Sequence, residues 1–147
     1  MNTFTPANLL VAVITLVAAW GTEVHAQTPP TPFDGSWNVV LTCAPHNSKD
    51  DDAKGYTHRF PAEVRVGRFR GIHGEEGEPG WHYLHGKINS DGSATLRLDG
   101  IVNNPNYAIK GAQRGKEYSY RVKAQFEPGG GTGERLTGRP CEFKFVR

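Results

Sequence analysis

The sequence contains no apolar run long enough to cross a membrane. Its longest run, residues 9–20 (LLVAVITLVAAW), has twelve residues. As a helix it would span roughly 18 Å of a hydrocarbon core about 30 Å thick, which argues against a permanent transmembrane anchor. A run of this size between a polar start and Val24-His25-Ala26 is typical of a secretory signal. We therefore predict a signal peptide at residues 1–26, cleaved after Ala26, and a periplasmic or secreted protein with no membrane span after processing.

Cysteine is also scarce, because the chain contains only Cys43 and Cys141. Both follow the predicted cleavage site, and in an oxidising compartment the default for such a pair is a disulfide. The bond would close a loop that covers nearly the whole domain. Constraining an unfolded chain over about 100 residues is worth up to about 4.7 kcal/mol.

Neither sign of charge dominates the chain. Residues 27–147 carry 17 Lys and Arg against 14 Asp and Glu, and the two signs are interspersed without a basic stripe. This balance suits solubility and argues against nucleic acid as a partner.

A helical period of 3.6 residues is missing after residue 26, and the abundant glycines also disfavour helices. Residues 27–33 hold three prolines and predict an extended linker. From residue 34 to 147, short alternating runs separated by Gly, Asn, Asp and Pro predict one all-β domain. We expect strands at residues 36–43, 56–66, 68–73, 81–89, 94–100, 107–110, 116–126 and 134–147, with a flexible turn at 128–133.

The disulfide helps to choose between a barrel and a sandwich. Cys43 ends the first predicted strand and Cys141 lies in the last, so the bond places these strands side by side and antiparallel. In an up-and-down meander this closure requires an even number of strands, which is why residues 107–110 are counted. The prediction is a single antiparallel up-and-down barrel of about eight strands. An open or sandwich arrangement is the alternative.

Direct opposition of the two cysteines also predicts the register of the first and last strands. Paired residue numbers then sum to 184, and apolar residues of one strand meet apolar residues of the other. The opposed pairs are Leu41 with Phe143, Val39 with Phe145, and Trp37 with Arg147.

No catalytic constellation is visible. The chain has no Gly-x-Ser-x-Gly motif, and both cysteines are assigned to the disulfide. The glycines of residues 129–133 do not precede a helix, as those of a phosphate-binding loop would. His82 and His85 look like a metal pair, but a spacing of three on a strand sends the side chains to opposite faces. Zinc needs three or four convergent ligands. We predict no enzyme activity, no catalytic or metal-binding residue and no cofactor.

A candidate binding surface lies around residue 80. A glycine-rich loop concentrates three carboxylates, but their spacing matches no calcium loop, so a solvated loop is expected. The next predicted strand begins with Trp81 and Tyr83, which would form an exposed aromatic pair if they face solvent. In the opposite phase these two residues line the core and His82 faces out; bulk alone does not decide between the phases, and we favour the core position for Trp81. The three carboxylates belong to Glu75, Glu76 and Glu78.

Two resemblances bear on the fold. The opening Asp34-Gly35-Ser36-Trp37 resembles the Gly-x-Trp start of calycin barrels, which include lipocalins, avidins and bacterial metalloprotease inhibitors. The resemblance implies that an arginine late in the chain packs across this tryptophan, and Arg147 is the candidate. The segments GYTHRFPAEV, GKINSDGSATL and GRPCEFKFV are similar to a group of small exported proteobacterial proteins. The domain is shorter than a lipocalin and has no second lipocalin motif, which argues against a deep cavity.

Two functions follow as expectations. The first is a small exported, non-enzymatic binding protein that holds an apolar or glycan-like ligand in a shallow barrel mouth. The alternative is a protein inhibitor of an exported hydrolase of the protease or lysozyme type, with residues 27–33 as a protruding arm. A sizeable cavity would favour the first, and a filled barrel with a protruding, well-ordered loop or N-terminal arm would favour the second.

Overall fold

The computed structural model describes residues 29–48 and 51–147. The predicted signal peptide at residues 1–26 and the first two residues of the predicted linker lie outside these ranges. In the described part of the chain, no helix combines the length and apolarity that a membrane crossing requires.

The domain is a closed, antiparallel up-and-down barrel of eight strands, as the alternation and the disulfide spacing predict. Each strand pairs with its neighbour along the chain, and the last strand returns to the first. The barrel strands are β1 (Gly35–Cys43), β4 (Tyr56–Arg65), β5 (Arg68–His73), β6 (His82–Lys87), β7 (Ser93–Ile101), β8 (Glu117–Glu127), β9 (Gly130–Arg135) and β10 (Cys141–Val146). A separate two-stranded hairpin, β2 (His46–Ser48) and β3 (Asp51–Ala53), lies between β1 and β4.

One predicted strand was wrong. Residues 107–110 fall in two 3₁₀ turns, Pro105–Tyr107 and Ile109–Gly111. The Asn104 side chain caps the first turn by accepting a hydrogen bond from the Asn106 amide at 3.0 Å. Proline near the start of the turn removes a donor that a strand would need.

The strand that completes the count of eight is β9, and most of it lies where we expected a flexible turn. Strand β9 pairs with both β8 and β10. Its glycines leave space for neighbouring side chains: a Cβ at Gly133 would meet Val122 and Ala124 at 3.2 and 3.3 Å. A strand built this way has no apolar alternation that a sequence pattern could reveal.

The disulfide and the register of the first and last strands are confirmed. Cys43 and Cys141 are bonded and directly opposed, although 98 residues separate them along the chain. The neighbouring inward pairs are Leu41 with Phe143 and Val39 with Phe145.

One end of the barrel, called the closed end below, is filled by aromatic side chains. Phe126 contacts the Trp37 ring edge to face at 5.6 Å between centroids, and it also contacts Phe69 at 5.5 Å and Phe145 at 4.5 Å. Phe33 of the predicted linker is buried against the same cluster. The core of the barrel therefore extends continuously from its middle to this end.

Arg147 completes the closed end. Its guanidinium carbon lies 5.6 Å from the centroid of the Trp37 ring, the distance expected for a cation–π contact. The same guanidinium donates to the carbonyls of Pro32 at 2.9 Å, Pro128 at 2.8 Å, and Asp34. The predicted contact between Trp37 and Arg147 is thus present, and it joins the last strand to the residues that precede β1.

Asp34 organises a turn at the same end. Its carboxylate accepts hydrogen bonds from the amides of Val66 at 2.7 Å and Gly67 at 2.9 Å, between β4 and β5. Both turn residues have positive φ, 50° at Val66 and 71° at Gly67. The hydrogen bonds from Thr31 and from these amides lower the pKa of Asp34 to about 2.

Candidate functional site

The other end of the barrel, called the mouth below, carries the disulfide and opens into a cavity of about 540 Å³. Strands β4, β5, β6 and β8 supply its base, and the 3₁₀ turns lie over it. The side chains that matter below are Tyr56, His58, His73, His82, Tyr107, Tyr118, Arg135 and Arg139.

Three histidines converge at the base of the mouth. His58 lies in β4 in phase with the buried Phe60, His73 ends β5, and His82 begins β6. His73 and His82 are directly opposed across the β5–β6 pair. One ring nitrogen from each of the three histidines lies within 4.8 Å of the others.

The planes of the three imidazole rings are nearly parallel. The centroids of His58 and His73 are 4.5 Å apart with planes 10° from parallel, and those of His58 and His82 are 4.9 Å apart at 16°. His58 Nδ1 lies 2.8 Å from His82 Nε2, which is hydrogen-bond distance. The centroids of His73 and His82 are 5.1 Å apart at 22°, so the three rings form a compact triangle of nearly parallel planes with their nitrogens close together.

Backbone carbonyls determine which nitrogens of this cluster carry protons. His82 Nδ1 lies 2.8 Å from the Trp81 carbonyl, and His73 Nδ1 lies 3.1 Å from the Gly80 carbonyl. Since a carbonyl oxygen only accepts, each Nδ1 must donate its proton. Nε2 of each then carries the lone pair, and that of His82 accepts a hydrogen bond from His58 Nδ1.

Tyr118 supports His82 from across β7. Its hydroxyl oxygen lies 2.9 Å from His82 Nδ1. The two residues face each other over Gly100, which pairs with His82 on one side and with Tyr118 on the other. A Cβ at Gly100 would lie 2.6 Å from the Tyr118 hydroxyl oxygen, so only glycine lets the phenol reach the imidazole.

Burial lowers the pKa of two members of the cluster, His58 and His82. His82 is 4% exposed. Its burial, with His58 as a second cause, lowers the pKa of His82 from 6.5 to about 4. Burial and the nearby His73 also lower the pKa of His58. Both imidazoles therefore keep a lone pair at pH 7.

Arg139 is the second organising group of the mouth. It is 2% exposed, and its guanidinium donates to the carbonyls of Ala44, Tyr107 at 2.8 Å and Lys54 at 2.8 Å. The guanidinium carbon also lies 5.2 Å from the centroid of the Tyr56 ring. Arg139 thus holds together the β1–β2 connection, the β3–β4 connection and the first 3₁₀ turn.

Tyr118, which lines the cavity, stacks on Tyr120, which belongs to the buried core. The rings of Tyr118 and Tyr120 stack at 6.2 Å, and the Arg135 guanidinium carbon lies 4.0 Å from the centroid of Tyr120. Among the described residues, the Tyr120 hydroxyl is the one buried side-chain polar atom with no hydrogen-bond partner. Burial raises the pKa of both tyrosines, so both phenols stay protonated.

The predicted surface of Trp81 and Tyr83 lies outside the barrel. Both are half-buried on the outer face of β6, and their rings stack at 6.1 Å. The preference for Trp81 in the core was wrong, because His82 and Leu84 occupy the inward phase of this strand. The prediction that His82 and His85 point to opposite faces is correct, since His85 bonds Asp99 at 2.9 Å on the outside.

The acidic loop is solvated, as expected. Glu75, Glu76 and Glu78 are all exposed on the connection between β5 and β6. Their carboxylates do not join the three-histidine cluster. The loop lies beside Trp81, whose amide donates to the Glu78 carbonyl at 3.0 Å.

The histidine cluster was missed at the level of sequence. The three residues lie 15 and 9 positions apart in three different strands, so no local spacing marks them. The available signal was that these histidines share a strand face with inward residues. His58 lies on the same face of β4 as Tyr56 and Phe60, and His82 lies on the same face of β6 as Leu84. Two histidines in inward phases of a barrel imply convergence only once the register is known.

Comparison of the chain with protein-family models, with curated proteins and with solved structures gives no match. Fold and site define the protein as a closed eight-stranded β-barrel that is filled at one end and has a histidine-based cavity at the other.

Proposed function

We propose that the protein is a small exported binding protein that holds a small ligand in the mouth of its barrel. The observation that carries this proposal is the cavity of about 540 Å³ at the disulfide end. Small-molecule sites in proteins typically occupy about 300–1,000 Å³ and combine apolar walls with a few placed polar groups. The filled closed end makes the mouth the natural place for such a ligand.

The lining chemistry favours a neutral or electron-rich ligand with flat or apolar faces. Tyr56, Tyr107 and Tyr118 supply aromatic faces, and Ile109 supplies an apolar one. Arg135 and the three histidines supply the polar groups, and the described lining contains no Asp or Glu. An apolar or glycan-like ligand is compatible with this surface, because aromatic faces stack on both.

The contact of Arg147 with Trp37 supports the calycin-like interpretation, in which an arginine late in the chain packs on the Gly-x-Trp tryptophan. The hydrolase-inhibitor alternative draws less support. It was expected to accompany a filled barrel, whereas the mouth holds a cavity, and the end of the proposed arm is fixed because Phe33 is buried in the core and its carbonyl accepts from Trp37 Nε1 at 2.8 Å.

The proposal is tested by filling the mouth. Ala112 is half-buried and lines the cavity, and the neighbouring Gln113 is exposed and does not. Binding of the fluorescent apolar probe ANS and of a panel of small oligosaccharides is measured on the folded, oxidised protein. We expect Ala112→Trp to abolish the binding seen with the unmodified chain, and Gln113→Trp to leave it unchanged.

Two results would contradict the proposal. Equal binding by both tryptophan variants would place the ligand outside the mouth. Inhibition of lysozyme or of an exported protease that survives Ala112→Trp would favour the inhibitor alternative, because an inhibitory surface would not depend on the cavity.

A further inference from the structure

We propose that His58, His73 and His82 form a binding site for a divalent transition-metal ion, with zinc as the best match, at the base of the mouth. This inference rests on the proposed function, since it names a ligand class for the same cavity. It starts from three imidazoles that the fold brings together from three strands.

The distances are close to those that a tetrahedral ion requires. Zinc binds imidazole nitrogen at about 2.0–2.1 Å, which puts two ligand nitrogens of a tetrahedron about 3.3 Å apart. The nitrogens of the cluster all lie within 4.8 Å of one another, and His58 Nδ1 and His82 Nε2 are 2.8 Å apart. Small ring rotations on otherwise fixed strands would bring them to metal-binding distance, and the proton of His58 would move from Nδ1 to Nε2 to leave a lone pair for the ion.

The surroundings of the histidines match those of metal ligands. A metal-binding imidazole usually donates its other ring proton to a carbonyl or carboxylate, which fixes the ring and its tautomer. His73 and His82 both do so, to the carbonyls of Gly80 and Trp81, and Tyr118 adds a second contact to His82. The lone pair for an ion is therefore on Nε2 in both histidines, and at His82 the ion would replace the hydrogen bond from His58 Nδ1.

The choice of ion follows from the donor type. Neutral imidazoles suit zinc, copper and nickel, whereas calcium and magnesium prefer oxygen ligands. The described lining of the mouth offers no carboxylate. Three protein ligands leave at least one coordination position, and the cavity lies on that side, so the bound ion would be open to water or a small ligand.

Titration calorimetry with zinc chloride on untagged, oxidised protein tests the site, and absorption of the cobalt(II) form reports tetrahedral geometry. We expect one ion per chain. His73→Gln removes one ligand without emptying the core, because His73 is only half-buried. It should weaken binding about 100-fold or more, since even an outer-shell partner of a metal ligand contributes about 10- to 100-fold. His58→Gln provides a second, independent variant.

Two matched controls separate this site from adventitious binding. His85→Gln removes a histidine from the outer face of the strand that carries His82. The triple variant Glu75→Gln, Glu76→Gln and Glu78→Gln removes the exposed carboxylates nearest in sequence to His73. Both should bind zinc within about twofold of the parent affinity. Circular dichroism of each variant confirms that it is folded.

The outcomes distinguish this inference from the proposed function. Absence of stoichiometric zinc and cobalt binding, or equal binding by His73→Gln, overturns the metal site. If ANS or saccharide binding still responds to Ala112→Trp, the binding function stands without the metal. If zinc binds as expected and no organic probe does, the metal site stands and the wider cavity proposal fails.

Discussion

The Tyr118 hydroxyl lies 2.9 Å from His82 Nδ1 although strand β7 runs between the two residues. Gly100 makes this possible because it places no side chain between them. Replacement of Gly100 by alanine would put a Cβ 2.6 Å from the Tyr118 hydroxyl oxygen. We expect Gly100→Ala to displace the phenol and lower the free energy of unfolding by about 1–3 kcal/mol, as overpacking does.

Urea unfolding measures this effect, and Gly129→Ala is the matched control. A Cβ at Gly129 meets nothing within 4 Å. If both variants are equally stable, Tyr118 has room to move, and the inferred packing across Gly100 is wrong.

The two stacked tyrosines should respond differently to loss of the hydroxyl. Tyr118→Phe removes the hydroxyl oxygen that, together with the Trp81 carbonyl, accepts a hydrogen bond from His82 Nδ1, and a hydrogen bond typically contributes about 0.5–1.5 kcal/mol to stability. Tyr120→Phe removes a buried hydroxyl that has no partner in the described residues, so stability should stay the same or rise. Thermal unfolding of the two variants under identical conditions provides the comparison. A larger loss for Tyr120→Phe would reveal a partner for its hydroxyl.

Stability should fall between about pH 6.5 and pH 4 because of His82. The folded pKa of His82 is about 4, below the 6.5 of an unfolded chain. Within this window the unfolded chain binds a proton that the folded protein excludes, so acid favours unfolding. The loss approaches about 3 kcal/mol and is complete below pH 4.

Urea midpoints at pH 8, 6.5, 5 and 4 test this dependence, and His82→Asn should reduce it to the contribution of His58, whose pKa is also lowered. Asp34 acts at lower pH: its folded pKa of about 2 lies below 3.8, so its contribution is present above pH 3.8 and is lost toward pH 2. A slope between pH 6.5 and 4 that is unchanged in His82→Asn would assign the effect to another group.

Val66 offers a route to higher stability. It is a β-branched residue at φ 50°, a conformation that asparagine tolerates better, and its side chain is 43% exposed. We expect Val66→Asn to raise the free energy of unfolding by about 1 kcal/mol, since such backbone strain costs about 1–3 kcal/mol. Val146→Asn, on an exposed residue without positive φ, is the control for the change in polarity. Equal effects of the two substitutions would argue against backbone strain at Val66.

Arg147 should contribute measurably to the closed end. Arg147→Ala removes the contact with Trp37 and the hydrogen bonds to Pro32, Pro128 and Asp34. An exposed cation–π contact is worth about 0.5–1 kcal/mol and a net hydrogen bond about 0.5–1.5 kcal/mol, so we expect a loss of about 1–2 kcal/mol. Tryptophan fluorescence during unfolding reports it. Wild-type stability in this variant would mean that the guanidinium is frayed in solution.

The fold was largely predictable because side-chain alternation indicates most of the strands and the disulfide indicates which strands close the barrel. Cys43 and Cys141 fixed the pairing of β1 with β10, and the register placed Leu41 opposite Phe143. Strand β9 was not predicted because three of its six residues are glycine and it shows no apolar alternation. Side chains of the neighbouring strand β8 fill the space beside its glycines.

The site was less predictable because it depends on pairing between strands. No spacing in the chain relates His58 to His82; β5, whose terminal His73 faces His82, connects them. The protonation pattern of the cluster depends on the carbonyls of Gly80 and Trp81, and main-chain groups leave no trace in composition. Only three-dimensional register reveals such an arrangement.

Arg139 has a mechanical consequence for ligand entry. A single guanidinium ties three loops of the rim, through the carbonyls of Ala44, Lys54 and Tyr107, next to the disulfide. The cover over the cavity is therefore not an independent flap. A ligand that displaces Tyr107 would also have to disrupt the hydrogen bonds of Arg139 to the other two loops. The three loops should therefore open together, and more slowly than an untethered loop moves.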